Sequence, residues 1–379
     1  MKKGFTNPIL KIALISFLPV FLVYLPFLFR LEQILFLKSN PDGMLNIYRN
    51  WDGPNYLIVA KSLYDQEKIR SLLFSPLPTT YFTAHFPLFP LLIKLFSITS
   101  PNLPMAGVIA TLTTGFLLNL LFFHFIKRRT KHPFLLTLIF TLLPARLFTT
   151  RSIIAPEPLM MLLILAGFML YEKKKYFYSS LSIAFAVMTK FQVIILTASF
   201  ALVELYRFLF QKKQPRLQSL LPGILSGIFT LLLFFYYQTK TGKFLIFFEA
   251  QKVNKLQLSF PYSQFDFNQT WIGSIWLEDI IFYFLILFAS AAYLYQSKKI
   301  LYSFAVFIYA VFLIFIPQRD LTRFSASVMP FVFWAAAPIL EKKYFRVAFI
   351  IILPAVYFYT LNFILNNQAP VTEWKYLWR

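Results

Sequence analysis

The stretch from Pro8 to Arg30, PILKIALISFLPVFLVYLPFLFR, carries a single charge, Lys11, before it closes on Arg30. A helix needs about 20 apolar residues to cross a bilayer, and this run supplies them. Lys2 and Lys3 ahead of it give the N-terminus the look of a signal peptide. The apolar stretch from Ile9 to Phe29 is too long for one and has no small-residue cleavage site, so it reads as an uncleaved first span.

The rest of the chain repeats this pattern. Hydrophobic residues make up 58% of 379, roughly 220, which matches about eleven spans of about twenty residues. Mean hydropathy is +0.64 and aromatic residues reach 20%, values that exclude an ordinary soluble domain. Apolar runs predict helices at 8–30, 104–126, 133–149, 156–171, 176–191, 192–210, 218–237, 279–295, 299–317, 325–340 and 344–365. Several runs between 133 and 210 are short, which is compatible with paired helices that dip in and return. The sequence therefore predicts an all-α polytopic membrane protein forming one integral-membrane domain over 1–379.

The net charge of +22 would point to nucleic acid in a soluble protein. Here the basic residues sit in short clusters between apolar runs, so the partners expected are anionic lipid headgroups. The clusters are Lys2-Lys3, Lys127-Arg128-Arg129, Lys173-Lys174-Lys175, Lys212-Lys213, Lys298-Lys299 and Lys342-Lys343. With eleven spans and a cytoplasmic N-terminus, every cluster falls inside. The opposite face then receives 31–103, roughly 146–156, the 190–192 turn, 238–278, 318–324 and the tail from Asn366. That face holds Asp52, His85, Arg146, Glu157, Glu249, Gln251, Arg319, Asp320 and Arg323, and polar residues gathered on one membrane face suggest a site there. In the long first loop, amphipathic stretches around 55–70 and 86–99 are expected to lie along the interface as helices.

Within that loop stands Asn50-Trp51-Asp52-Gly53-Pro54-Asn55-Tyr56, followed by His85-Phe86-Pro87-Leu88-Phe89-Pro90. A lone carboxylate between an aromatic ring and a Gly-Pro pair suits a general base that takes a proton from a sugar hydroxyl. Partial burial beside Trp51 and Tyr56 would raise its pKa modestly. The competing reading is a helix N-cap, with Pro54 in the first turn. The chain has no Cys and 3 His, which excludes a thiolate or His-rich metal site. A divalent cation held by carboxylates stays compatible, though no cofactor is implied with certainty.

NWDGPNYLIVAKSLY followed by AHFPLFPLLIKLF resembles the first outer loop of PIG-V-type mannosyltransferases, with its aromatic-Asp pair, its Tyr and its Phe-Pro-Leu-aromatic-Pro run. Ala155-Pro156-Glu157-Pro158-Leu159 looks like that family's helix-opening Glu segment. Thr241-Gly242-Lys243 through Phe248-Glu249-Ala250-Gln251 looks like its Phe…Ala-Gln segment. Thr322-Arg323-Phe324 with Met329-Pro330-Phe331 looks like its Arg-Tyr…Phe-Pro segment. His85 stands where the family often has Phe, Lys190 near its Thr-Arg position, and Lys243-Phe244 in place of Asp-Pro.

The resemblance implies a GT-C helical bundle that uses a polyprenyl-phosphate sugar, usually mannose, as donor. It implies a glycolipid or glycan acceptor and an active site on the outer face of a bacterial membrane or the lumenal face of the endoplasmic reticulum. Asp52 is then the catalytic base of an inverting displacement. Trp51, Tyr56, His85, Glu157, Lys190, Gln251, Arg319 and Arg323 are substrate-binding candidates, with Arg323 expected to pair with the donor phosphate. The structural alternatives are a favourable charge at a helix N-terminus for Glu157, a pair with Asp320 or an interfacial anchor for Arg323, a polar interfacial position for His85, and a snorkelling side chain for Lys190. Trp271, Trp276, Trp374 and Trp378 read as interfacial belt residues. A lipid-linked sugar flippase or transporter is the rival function. It would favour internal repeats and charges in mid-helix, neither of which is visible. A non-catalytic scaffold would not need Asp52, Glu157 and Arg323 on one side.

Overall fold

A computed structural model describes residues 7–72, 77–253, 258–265, 277–317 and 320–369. The first span is α1 (Pro8–Leu28), opened by Asn7, whose side chain accepts from the Ile9 amide at 2.9 Å. A two-stranded hairpin follows, β1 (Gln33–Ile34) against β2 (Leu37–Lys38), with Gln33 opposite Lys38. The first loop then carries α2 (Leu45–Tyr48), α3 (Gly53–Ser62), α4 (Gln66–Leu72) and α5 (Leu88–Phe96). Next come α6 (Leu103–Ile126), α7 (Pro133–Leu142), α8 (Ala145–Ser152), α9 (Glu157–Glu172), α10 (Tyr176–Thr189), α11 (Thr197–Gln211), α12 (Leu221–Thr241) and α13 (Ile246–Val253). The chain continues through α14 (Leu277–Gln296), α15 (Ile300–Ile314), α16 (Leu321–Phe324), α17 (Met329–Leu340) and α18 (Lys343–Asn366).

The protein is an all-α polytopic membrane protein. All eleven apolar runs are helical. Among the described residues, seven helical segments are long and apolar enough to cross a membrane, and α7 with α8 makes an eighth if that bent pair is one span. The difference from eleven is one of length. The helices α9, α10 and α15 have 16, 14 and 15 residues. At about 1.5 Å per residue they rise roughly 21–24 Å, short of the ~30 Å hydrocarbon core.

Two expectations for loops are corrected. Helix continues past the expected end at 149 to Ser152, so residues 146–152 belong to α8, and all seven are buried. Their Thr, Arg and Ser residues mimic a loop in sequence, but the hydroxyls return to the helix backbone: Thr149 to Ala145 O, Thr150 to Leu147 O and Ser152 to Phe148 O. The chain turns by 78° between α7 and α8, where Pro144 interrupts the helix. The first half of the stretch at 55–70 does not lie on a surface either, since α3 is buried from Gly53 to Ser62 except at Asn55 and Lys61, whereas α4 keeps the amphipathic form, with Ile69 buried and Glu67, Lys68 and Arg70 exposed. The second stretch keeps its amphipathic form in α5, with Phe89, Pro90 and Ile93 buried and Leu91 and Leu95 exposed.

The chain divides into two compact units, residues 1–162 with 337–379, and residues 163–336. In the first, Arg151 on α8 lies inside the helix bundle. Its Nη1 donates to Asn119 Oδ1 of α6 at 2.6 Å, its Nη2 to Phe140 O at 3.3 Å, and Asn119 Nδ2 donates to Ser16 Oγ of α1 at 2.9 Å. The expectation that charges avoid mid-span positions is thus corrected. In the second unit, α9 and α10 meet closely. A Cβ on Gly167 would fall 2.6 Å from Ile183 Cδ1, and Ser179 and Ser182 donate to Gly167 O and Leu163 O, both at 2.8 Å. Small residues let short apolar helices approach where lipid gives no hydrophobic drive.

Candidate functional site

Asp52 occupies the N-cap position of α3, yet its side chain makes no capping hydrogen bond. Its φ and ψ of −80° and −3° are helical, whereas a side-chain cap uses extended backbone. The capping role weighed for this residue is therefore carried by its backbone alone: Asp52 O accepts from Asn55 N at 2.9 Å and Tyr56 N at 3.2 Å.

The turn carrying Asp52 is fixed from several sides. Trp51, just before it, has φ +51°, a left-handed conformation that costs a residue with a bulky side chain about 1 kcal/mol or more. Surrounding contacts hold it there. Trp51 N donates to Asn367 O at 2.8 Å, Ala369 N to Arg49 O at 2.8 Å, and Asn50 Nδ2 to Ile364 O at 2.9 Å. Asn50 and Gln368 form an antiparallel bridge. The end of α18 is thus stitched to the residues that precede Asp52. Arg146 Cζ lies 4.4 Å from the Trp51 ring centre and 4.0 Å from that of Phe363, and the two rings are 5.1 Å apart. A buried guanidinium against aromatic faces is a strong cation–π arrangement.

On the other side of the turn, a Cβ on Gly53 would lie 3.0 Å from Tyr48 O and 3.3 Å from Ile154 Cβ. One on Gly107 of α6 would lie 3.0 Å from Ile154 Cδ1. Ile154 is therefore wedged between two glycines. Ala155 N donates to Thr111 Oγ1 at 3.1 Å, which anchors the same segment to α6. Two residues later Glu157 opens α9 and is fully buried. The start of α3 at Asp52 and the segment leading to Glu157 are thus seated against each other. Glu157 lies in the first turn of α9, where the helix dipole favours a carboxylate, so the structural alternative weighed for it is satisfied in place.

His85 is buried, not interfacial as that alternative had it. Its ring meets Tyr56 edge-on at 4.9 Å and Tyr81 at 5.4 Å, while Tyr64 Oη donates to His85 O at 2.6 Å. Tyr56 also meets Phe89 at 5.3 Å. The Phe-Pro run therefore packs against α3 through Tyr56. Burial pushes the Tyr48 phenol up, and pushes the Arg49 guanidinium and the Lys61 ammonium down.

In the second unit, Arg323 sits on α16, buried, behind Asp320, whose carboxylate accepts from the Arg323 amide at 3.3 Å. Tyr309 Oη donates to Phe324 O at 2.9 Å and accepts from Ser327 Oγ at 2.9 Å, fixing this short helix from α15. Lys190 ends α10 in extended backbone. Phe191 beside it packs on Phe247 at 4.9 Å, which brings α13 and its Gln251 to the same segment. The neighbouring Glu249 is tied to Lys243 at 2.8 Å on the surface. Arg319, Trp271, Trp276, Trp374 and Trp378 lie outside the described residues. Among the described residues, no group of three or more His, Cys, Asp or Glu is placed to hold a metal ion.

Two features escaped the sequence reading. Arg146 counted among the polar residues of the outer face but received no role at the site. The pairing of 49–51 with 367–369 links positions far apart in the chain, and its only local sign is the polar ending Asn366-Asn367-Gln368.

No protein-family model matches this chain, and no curated protein sequence matches it. Among solved structures, it is similar to the oligosaccharyltransferase of Archaeoglobus fulgidus, determined with a tethered acceptor peptide containing the NVT sequon. Identity is 12% and the TM-score 0.45, over 93% of this chain and 55% of that one. This chain thus spans about half the length of that enzyme, and a likeness at this level transfers no activity.

Proposed function

We propose that this chain is an inverting membrane glycosyltransferase of PIG-V type with GT-C architecture. It moves a sugar, mannose by the reading of its motifs, from polyprenyl phosphate to a hydroxyl of a lipid- or glycan-linked acceptor on the extracytoplasmic face. The observation that supports this best is the Asp52 carboxylate, which stands at a helix start without capping it, on a turn that its neighbours hold rigid. Rigid support is what a general base needs to keep hydrogen-bond reach to a reacting hydroxyl. Asp52 takes the acceptor proton as the oxygen attacks the anomeric carbon. The bond to the phosphate oxygen breaks, and polyprenyl phosphate leaves with the electron pair. Its phosphate is stable as an anion, so no acid catalyst is required. Arg323 pairs with that phosphate, and Trp51, Tyr56, His85, Glu157, Lys190, Gln251 and Arg319 shape the binding of donor and acceptor.

The test is transfer from labelled polyprenyl-phosphate-mannose to candidate acceptor lipids by purified protein. Asp52→Asn keeps size but cannot accept the proton, and losing a general base costs a factor of about 10²–10⁴ in turnover. Near-normal turnover in a folded Asp52→Asn protein would remove it as the base, with Glu157 next in line.

One observation favours the transporter reading. Arg151, Asn119 and Ser16 form a polar chain within the span bundle, and ionisable groups at membrane depth often mark substrate paths. A transporter would move labelled lipid-linked sugar between the leaflets of proteoliposomes without chemistry. That movement would survive Asp52→Asn.

A further inference from the structure

We propose that the hairpin after the first span folds back into the bilayer and packs its tip against lipid acyl chains. Its level beside the spans carries this inference. Phe36, at the hairpin tip, packs against Phe358 of α18, the ring planes tilted by 45° and their centres 4.9 Å apart. Phe358 lies eight residues before the helix end at Asn366, which is about 12 Å along the axis. The adjacent Tyr357 Oη donates to Leu22 O of α1 at 3.2 Å. Leu22 in turn lies six residues, about 9 Å, before the end of α1 at Leu28. Two spans therefore place the tip at one level, inside their apolar lengths. The chain leaves the membrane after Leu28 and returns by two turns of helix.

The chemistry of the hairpin agrees with that depth. Leu35 and Phe36 at the tip are 70% and 72% exposed to anything but protein, while Arg30, Glu32 and Lys38 sit at its base. An apolar tip on a charged base is the pattern of a segment dipped into hydrocarbon from the interface. The flanking spans also expose apolar side chains, Ile350 and Ile351 of α18 and Phe21 and Leu22 of α1. The backbone is also prepared for a solvent without hydrogen bonds. The strands pair with each other, Ser39 N donates to Glu32 O at 2.8 Å, and Gln33 Nε2 donates to the tip carbonyl of Leu35 at 2.7 Å. Lipid tolerates irregular backbone only where its polar groups are satisfied internally.

The chain has no cysteine, so single cysteines can be introduced and spin-labelled without other changes. The experiment uses the full chain in phosphatidylethanolamine–phosphatidylglycerol vesicles, with labels at Leu35→Cys, Glu32→Cys and Ile351→Cys. Power saturation compares access of oxygen, which concentrates in hydrocarbon, with access of a water-soluble nickel chelate. The expected result is an oxygen-to-nickel ratio at Leu35 close to that at Ile351 and several-fold above that at Glu32. A Leu35 label that tracks Glu32 would place the tip in water. One reached by neither reagent would place it against protein. Either result overturns the proposal. Phe36→Cys reports the same depth if the Leu35 variant does not reconstitute.

Discussion

Arg146 and Arg151 lie a turn and a half apart on the same short helix, and both are buried, yet they are accommodated in different ways. Arg146 is flanked by the faces of Trp51 and Phe363 and touches the turn that carries Asp52. Arg151 also lies over a ring, Phe140 at 4.7 Å, but it is held within the bundle by hydrogen bonds to Asn119 Oδ1 and Phe140 O, partners that carry no formal charge. The first accommodation is broad, because a ring face tolerates a shift of the cation. The second is directional, because a desolvated guanidinium depends on each acceptor it has. From this difference, Arg151 should govern whether the bundle folds, and Arg146 whether the Asp52 turn is in place.

The largest expected effect tests the directional site. Asn119→Leu removes an acceptor while leaving the cation buried, and should destabilise by roughly 3 kcal/mol. The measurement is the thermal midpoint in detergent, with Arg151→Leu added to the same protein as the control. The double variant should recover most of the loss, since an apolar pair of similar size needs no acceptor. Equal loss in both would mean that Asn119 serves packing and not the charge. A smaller effect is expected at Gly53→Ala, whose Cβ would press on Tyr48 O and Ile154. Overpacking of this kind costs about 1–3 kcal/mol. Because the strain falls at the Asp52 turn, sugar transfer should drop more than the midpoint does. Smallest in stability is Arg146→Leu, at about 1–2 kcal/mol for a desolvated cation–π contact. Its transfer rate should fall about tenfold, the kinetic equivalent of 1.4 kcal/mol at the turn. Arg146→Lys should not restore it, because a compact ammonium does not stack as the planar guanidinium does. Unchanged transfer by Arg146→Leu would break the contrast between the two arginines.

Much of this molecule is legible in its sequence because lipid makes a simple demand. An apolar run in a bilayer must be helical, so all eleven runs, from Pro8–Leu28 to Lys343–Asn366, were visible. The place of the 78° break, at Pro144, and the helical state of 150–152 were not, because Thr150, Arg151 and Ser152 look like loop until their hydrogen bonds are known. The candidate site was legible where it is local. Asp52, Gly53, Tyr56 and the Phe-Pro run form one motif, and Gly53 shows why a glycine follows the carboxylate. It was illegible where it is made of distant pairs, since nothing near Trp51 announces Asn367, Phe363 or Arg146. The burial of His85 was illegible for the same reason: it comes from three tyrosines that periodicity does not bring together.

The stitching of residues 49–51 to 364–369 also has a meaning in time. Asn50 and Ile364, one of its bonded pairs, are separated by 314 positions. At 5–20 residues per second, synthesis of the intervening chain takes on the order of 15–60 s. For most of that interval the first loop is already made, but the backbone partners of Arg49, Asn50 and Trp51 do not yet exist. A nascent or prematurely terminated chain would therefore carry the carboxylate of Asp52 on an unfastened turn. The turn can therefore take its final form only after α18 has been made.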